Sequence, residues 1–144
     1  MKTSLRNAFL VALASGLLGC GGGGSGGPQF PGVYSVFLEL FDDPCGLTDD
    51  VVRSVLDEVN QNGRSIALRR GSVNYLGAVS DDNKGFTVVN TFHATNGCTV
   101  TTAVAYVKSE VDGVAFGVGD VSDVSCPGAS FVCRVSYSGI ANRT

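Results

Sequence analysis

"FTVVNTFHATNGCTVTTAVAYV", residues 86–107, decides the fold. Phe86, Val88 and Phe92 oppose Thr87, Val89, Thr91 and His93, the two-residue period of a half-buried strand. Thr95-Asn96-Gly97 turns the chain, and Val100, Val104 and Tyr106 then stand against Thr99, Thr101 and Ala103. Two alternating runs joined by a short turn make an antiparallel hairpin.

The same pattern extends in both directions. Towards the N-terminus, Ser72 to Val79 places Val73, Tyr75 and Val79 on one face, and Arg64 to Arg70 does the same with Ile66 and Leu68. "VYSVFLELF", residues 33–41, puts Tyr34, Val36, Leu38 and Leu40 together, with Phe37 and Phe41 opposite. Towards the C-terminus, Asp112-Gly113 turns the chain into a run carrying Val114, Phe116 and Val118. Phe131, Cys133, Val135 and Tyr137 form the last strand. Residues 48–63 carry two signals. Val51, Val52, Val55, Leu56 and Val59 fall at helical spacing after Thr48, Asp49 and Asp50, residue types that suit a helix start. Asn62-Gly63 is a hairpin turn. The expectation is one short helix near 49–58, then an extended arm into that turn. Seven or eight short strands without a crossover helix imply an all-β antiparallel meander. Such a meander removes its edges by closing into a small up-and-down barrel, or shields them as a β-sandwich.

The N-terminus is of a different kind. Lys2 and Arg6 precede "AFLVALASGLL", residues 8–18, which is too short to span a bilayer and has the make-up of a secretory signal. Leu17-Leu18-Gly19-Cys20 resembles the lipobox of bacterial lipoproteins. That resemblance implies cleavage after residue 19, a thioether-linked diacylglycerol on Cys20, and acylation of the new amino group. Residues 20–31 would then be a lipidated cysteine and a glycine-rich tether reaching on the order of 18 Å. The β-domain would run over 32–144. The membrane is the partner this implies, through acylated Cys20. Gly21, where some bacteria use Asp to retain lipoproteins at the inner membrane, favours the outer one.

Without residues 1–19 the chain loses two of its ten basic residues and none of its thirteen acids. An acidic chain with scattered cations has no electrostatic footprint for nucleic acid. Of five cysteines, four remain after Cys20: Cys45, Cys98, Cys126 and Cys133. An even number in an exported domain implies two disulfides. The Pro127-Gly128 turn between them favours Cys126–Cys133, leaving Cys45–Cys98. Their wide spacing and the single histidine do not suit a metal site. No cofactor is expected.

Catalytic chemistry is not expected either. His93 has no nearby carboxylate in sequence, and Asp42-Asp43, Asp49-Asp50 and Asp81-Asp82 lie where solvated acids are ordinary. No P-loop or H-E-x-x-H zinc motif occurs. Two binding roles remain. Tyr34, Phe92, Tyr106 and Phe116 are inward aromatics that either fill the core or line a site for a small apolar ligand. Otherwise a loop or edge face binds an envelope protein; some lipid-anchored β-domains of similar size inhibit lysozyme or proteases, but their inhibitory motifs are not found here. Finally, Gly32-Val33-Tyr34 at the start and Arg143 near the end faintly resemble lipocalin and avidin-type barrels. In those, a Gly-x-Trp packs beneath a basic residue. This chain has no tryptophan.

Overall fold

The computed structural model describes residues 27–144. Cys20 and the expected leader lie outside them. Eight strands follow one another: β1 (Gly32–Asp42), β2 (Val52–Asn62), β3 (Ser65–Arg70), β4 (Val73–Val79), β5 (Gly85–His93), β6 (Thr99–Lys108), β7 (Phe116–Ser125) and β8 (Cys133–Arg143). Each pairs with the next, and β8 pairs antiparallel with β1, closing an up-and-down barrel. Closure leaves no strand with unpaired backbone groups along its length, which is why the barrel outcompetes the sandwich for this sequence.

The expected helix near 49–58 is absent. From Val52 on, that segment is the start of β2, paired residue by residue from Gly32↔Val59 to Glu39↔Val52 with β1. The valines satisfy both periods, so spacing alone does not separate them. As a helix the segment would bury one stripe. As a strand it turns Val55, Asp57 and Val59 inward, leaves Val52 and Leu56 outside, and provides the pairing partner that β1 and β3 both need. A tight turn at Gly63, which has φ +60°, joins it to β3.

An eight-stranded barrel has an interior just wide enough for side chains to fill. It is filled by Tyr34, Val36, Leu38, Val59, Ile66, Leu68, Phe86, Val88, Val104, Tyr106, Phe116 and Val118. Phe30 completes this core, although it lies in the stretch expected to be tether. Gln61, at the inner end of β2, holds the entering chain: its carbonyl accepts from the Phe30 N–H at 2.9 Å, and its amide donates to the Pro28 carbonyl at 3.0 Å. The chain enters at this end and leaves from it, so the plugged end carries both termini of the barrel.

Inner-face glycine is required where the neighbouring backbone leaves no room for a Cβ. A Cβ on Gly139 would lie 1.8 Å from the Phe37 carbonyl oxygen, on the neighbouring strand's backbone.

Two disulfides form, as expected in number, but with other partners. Cys45 joins Cys133, and Cys98 joins Cys126. The expected Cys126–Cys133 and Cys45–Cys98 pairs do not occur. The reason is topological. Cys133 begins β8, whose neighbour β1 leads directly into the loop holding Cys45. Cys98 sits in the turn before β6, whose neighbour β7 ends just before Cys126. Ring closure therefore sets the pairs, not proximity in sequence.

Candidate functional site: the mouth of the barrel

The barrel interior is stratified along its axis. At the plugged end lie five aromatic rings. Phe86 stacks on Tyr106 at 4.7 Å between centroids, Phe30 meets Phe86 at 5.4 Å, and Phe116 meets Tyr34 at 5.5 Å. Tyr34 donates to the Phe30 carbonyl at 2.7 Å and accepts from Arg143 at 2.9 Å, whose guanidinium lies 5.5 Å from the Tyr34 ring centre. A basic residue thus covers the aromatic side chain of the Gly32-Val33-Tyr34 opening. Gly32 leaves room for it, since a Cβ there would lie 3.0 Å from Arg143 Nε.

Above the rings sits a charged layer. Asp57, fully buried on β2, accepts a bidentate pair from Arg70 of β3, at 2.7 and 2.8 Å. The Tyr106 hydroxyl donates to the same carboxylate at 2.5 Å. Arg70 donates its remaining terminal nitrogen to Asp120 of β7, on the far wall. Burial works against the Arg70 charge, but hydrogen bonds and charges from Asp57 and Asp120 more than offset it and hold its pKa above the ordinary arginine range. Every fully buried side-chain nitrogen or oxygen among the described residues has a partner. Such a network fixes the spacing of opposite walls.

Burial, then the Asp57 charge, raises the Tyr106 phenol well above the ordinary tyrosine range; Tyr75 shifts the same way through burial. Above pH about 10 the unfolded chain releases tyrosine protons that the folded chain keeps, so stability is full below that pH and falls as pH rises. Tyr106→Phe should therefore lose about 1.5–3 kcal/mol at pH 8, from the missing bond to a carboxylate. Its deficit should shrink towards pH 11. Urea unfolding of both proteins across that range checks this, and a deficit independent of pH would contradict it.

Beyond the charged layer the inner wall stays filled on the β8 side, by Val135 and Tyr137, but not on the β4–β7 side. Phe92 is on the inner face, in phase with Phe86 and opposite Val100, yet it is 50% exposed. Val73, paired with Arg70, is exposed too, while Asn90, Thr102 and Ser122 are half-buried. Thr102 and Ser122 bond to each other across β6 and β7 at 2.8 Å. Inner positions that see solvent define an open mouth on the β4–β7 side. On the β8 side the mouth is narrowed by the 43–51 loop. The Tyr137 hydroxyl, reaching up from β8, donates to the Asp50 carbonyl at 2.9 Å. Arg53 lies 4.2 Å over the Tyr137 ring. Asp43 gives the loop its shape by accepting from the Leu47 and Thr48 N–H groups at 2.9 and 3.0 Å.

Of the four aromatics expected to line a ligand site, Tyr34, Tyr106 and Phe116 come together, but packed against one another and against Phe30. Phe92 is not with them; it stands at the opposite end. Sequence reading does not single out Asp57, Arg70 or Asp120. A signal is available: Val55-x-Asp57-x-Val59 and Val118-x-Asp120 each place an acid in the apolar phase of a strand. His93 lies at the end of β5, exposed, with Nδ1 3.0 Å from the Thr99 hydroxyl. Asp81 and Asp82 are in the β4–β5 turn at the plugged end, where Asp82 orders the turn through Ser80 and Lys84. Among the described residues no group of three or more His, Cys, Asp or Glu side chains is arranged to hold a metal ion.

The molecule is thus a closed eight-stranded barrel with one plugged end, an ionic middle layer and a disulfide-stapled mouth. No protein-family model, curated protein or solved structure matches the chain.

Proposed function

We propose that this chain is a lipid-anchored lipoprotein of a bacterial envelope, at the outer membrane, whose barrel is a non-catalytic module that binds another envelope component through its mouth. The anchor rests on Leu17-Leu18-Gly19-Cys20 at the end of the short apolar run. The binding role rests on one observation: the mouth is the part of the barrel that is both braced and unfilled. Two disulfides tie the β1–β2 loop to β8 and the β5–β6 turn to the segment after β7, while inner-face side chains at the same end remain open to solvent. Loops held rigid before contact lose less freedom on binding. The tether fits this arrangement, because the chain enters the barrel at the plugged end, opposite the mouth. Binding a small apolar ligand among the aromatics is less well supported, since Phe30 occupies the space between Phe86 and Phe116.

Two measurements test the proposal. Cys20→Ser should move the protein from the membrane fraction to the soluble one, or leave it unprocessed, and the wild-type intact mass should include the acyl groups. Stable anchoring needs more than one chain, each buried methylene contributing roughly 0.8 kcal/mol. A Cys20→Ser variant that still sediments with membranes, at the wild-type mass apart from the substitution, would overturn the anchor. For the binding role, folded bait should retain an envelope component that reduced, unfolded bait does not. Equal recovery from both would end it.

A further inference from the structure

The charges of the barrel are segregated along its axis. At the mouth, Asp42, Asp43, Asp49 and Asp50 share the end of the barrel with one half-buried cation, Arg53, which pairs with Asp50, and the layer beneath adds two carboxylates against the single Arg70. Arg69 and Arg134, towards the same end, are already matched by Glu58 and Asp123. At the plugged end Arg64, Lys84, Lys108 and Arg143 balance Asp81, Asp82, Glu110 and Asp112. The acidic excess of the chain is therefore concentrated at its disulfide-braced end.

Apolar surface is exposed there as well. Phe131 and Val132, in the segment between the two cysteines Cys126 and Cys133, are 65% and 57% exposed, and Phe41 is 60% exposed. Phe92 rises from the inner wall at the same end, on the β5 side of the ring. Large aromatics left in water on braced loops are the residue type that anchors interfaces. Below them Asp120 is 5% exposed, with Oδ2 held by Arg70, and no donor among the described residues reaches its Oδ1. A carboxylate oxygen at the floor of the mouth, without a donor of its own, suits an incoming N–H group.

We propose that the mouth docks a cationic, apolar-bearing protein segment: Lys or Arg side chains meet the Asp42, Asp49, Asp50 and Asp120 carboxylates, and apolar side chains cover Phe131 and Phe92. This rests on the binding-module reading and names its partner's chemistry. Opposite charge speeds encounter and excludes acidic partners, and the aromatic rim supplies contact area. Anionic lipid is disfavoured by the same charges, and a second copy of this chain offers only a balanced end or another acidic one.

The test uses the mature chain anchored in phosphatidylcholine nanodiscs, with empty nanodiscs as reference. A short peptide of alternating Lys and Leu should bind, its Glu–Leu and Lys–Ser counterparts should not, and raising salt from about 50 to about 500 mM should weaken binding. Phe131→Ser should weaken it roughly tenfold. Asp42→Asn with Asp49→Asn should weaken it about threefold at low salt and flatten the salt dependence. Asp43 and Asp50 are kept because they hold the loop, and unchanged near-ultraviolet circular dichroism verifies the fold. Equal binding of the Glu–Leu peptide, equal signal on empty nanodiscs, displacement by dissolved copies of this chain, or indifference to both variants would each overturn the proposal. Capture of an envelope component that needs Phe131 but ignores the acids would overturn the cationic partner and leave the binding module standing. Capture no better than with unfolded bait would remove both.

Discussion

Replacing Asp57 with alanine is expected to lower folding stability by about 3–5 kcal/mol, because it leaves a largely covered guanidinium with one of its two carboxylate partners. Asp57 accepts two bonds from Arg70 and one from Tyr106, so the substitution strands donors on both β3 and β6. Total stabilities of single domains are about 5–15 kcal/mol, so the loss would leave a barely folded barrel. The cost comes from the unpaired charge, not from the salt bridge being a large net gain. Changing Asp57, Arg70 and Asp120 together to leucine, methionine and leucine should therefore recover the part of the loss that comes from the stranded Arg70, leaving only the Tyr106 hydroxyl without its acceptor. Urea unfolding of the wild type, the single variant and the triple variant measures both effects. A single variant within about 1 kcal/mol of wild type would mean that Arg70 finds water or another partner, and that the layer is open to solvent.

Removing the Cys45–Cys133 bridge should cost roughly 2–4 kcal/mol, since it closes a long loop, with a sequence separation of 88, in the unfolded chain. The pattern among variants tests the pairing as well as the magnitude. Cys45→Ser, Cys133→Ser and the two combined should lose the same amount, because all three remove one bond. Cys126→Ser combined with Cys133→Ser should lose about twice as much, because each belongs to a different bridge. If that combination costs no more than either single change, Cys126 and Cys133 are bonded to each other. Non-reducing peptide mapping gives the same answer independently. These bridges lie at the mouth, so their removal should also loosen the surface proposed to bind, while the plugged end keeps its aromatic packing.

Most of the barrel was legible in the sequence because strand alternation is a local property. Phe86 to Tyr106 showed two strands and a turn, and the inward sets of β1, β3 and β7 followed from the same period. β2 was hidden because Val51, Val52, Val55, Leu56 and Val59 match two periods at once. Only the presence of β1 and β3 on either side selects one of them. The mouth was the least legible part. Phe92 has the right phase to be buried, and nothing local reveals that its strand rises past the filled layers. Asp57 and Asp120 were visible as acids in apolar slots, but they are far apart in sequence and join through Arg70 only once the ring is closed.

By itself, the sequence determined the all-β class, the meander order of the strands and the presence of four cysteines in the folded domain, because each depends on neighbours a few residues apart. Tertiary structure alone decided the strand state of 52–62, the partners of the cysteines, the burial of Phe30 and the charged layer. These depend on which strand lies beside which after β8 meets β1, and that closing contact spans the whole length of the barrel.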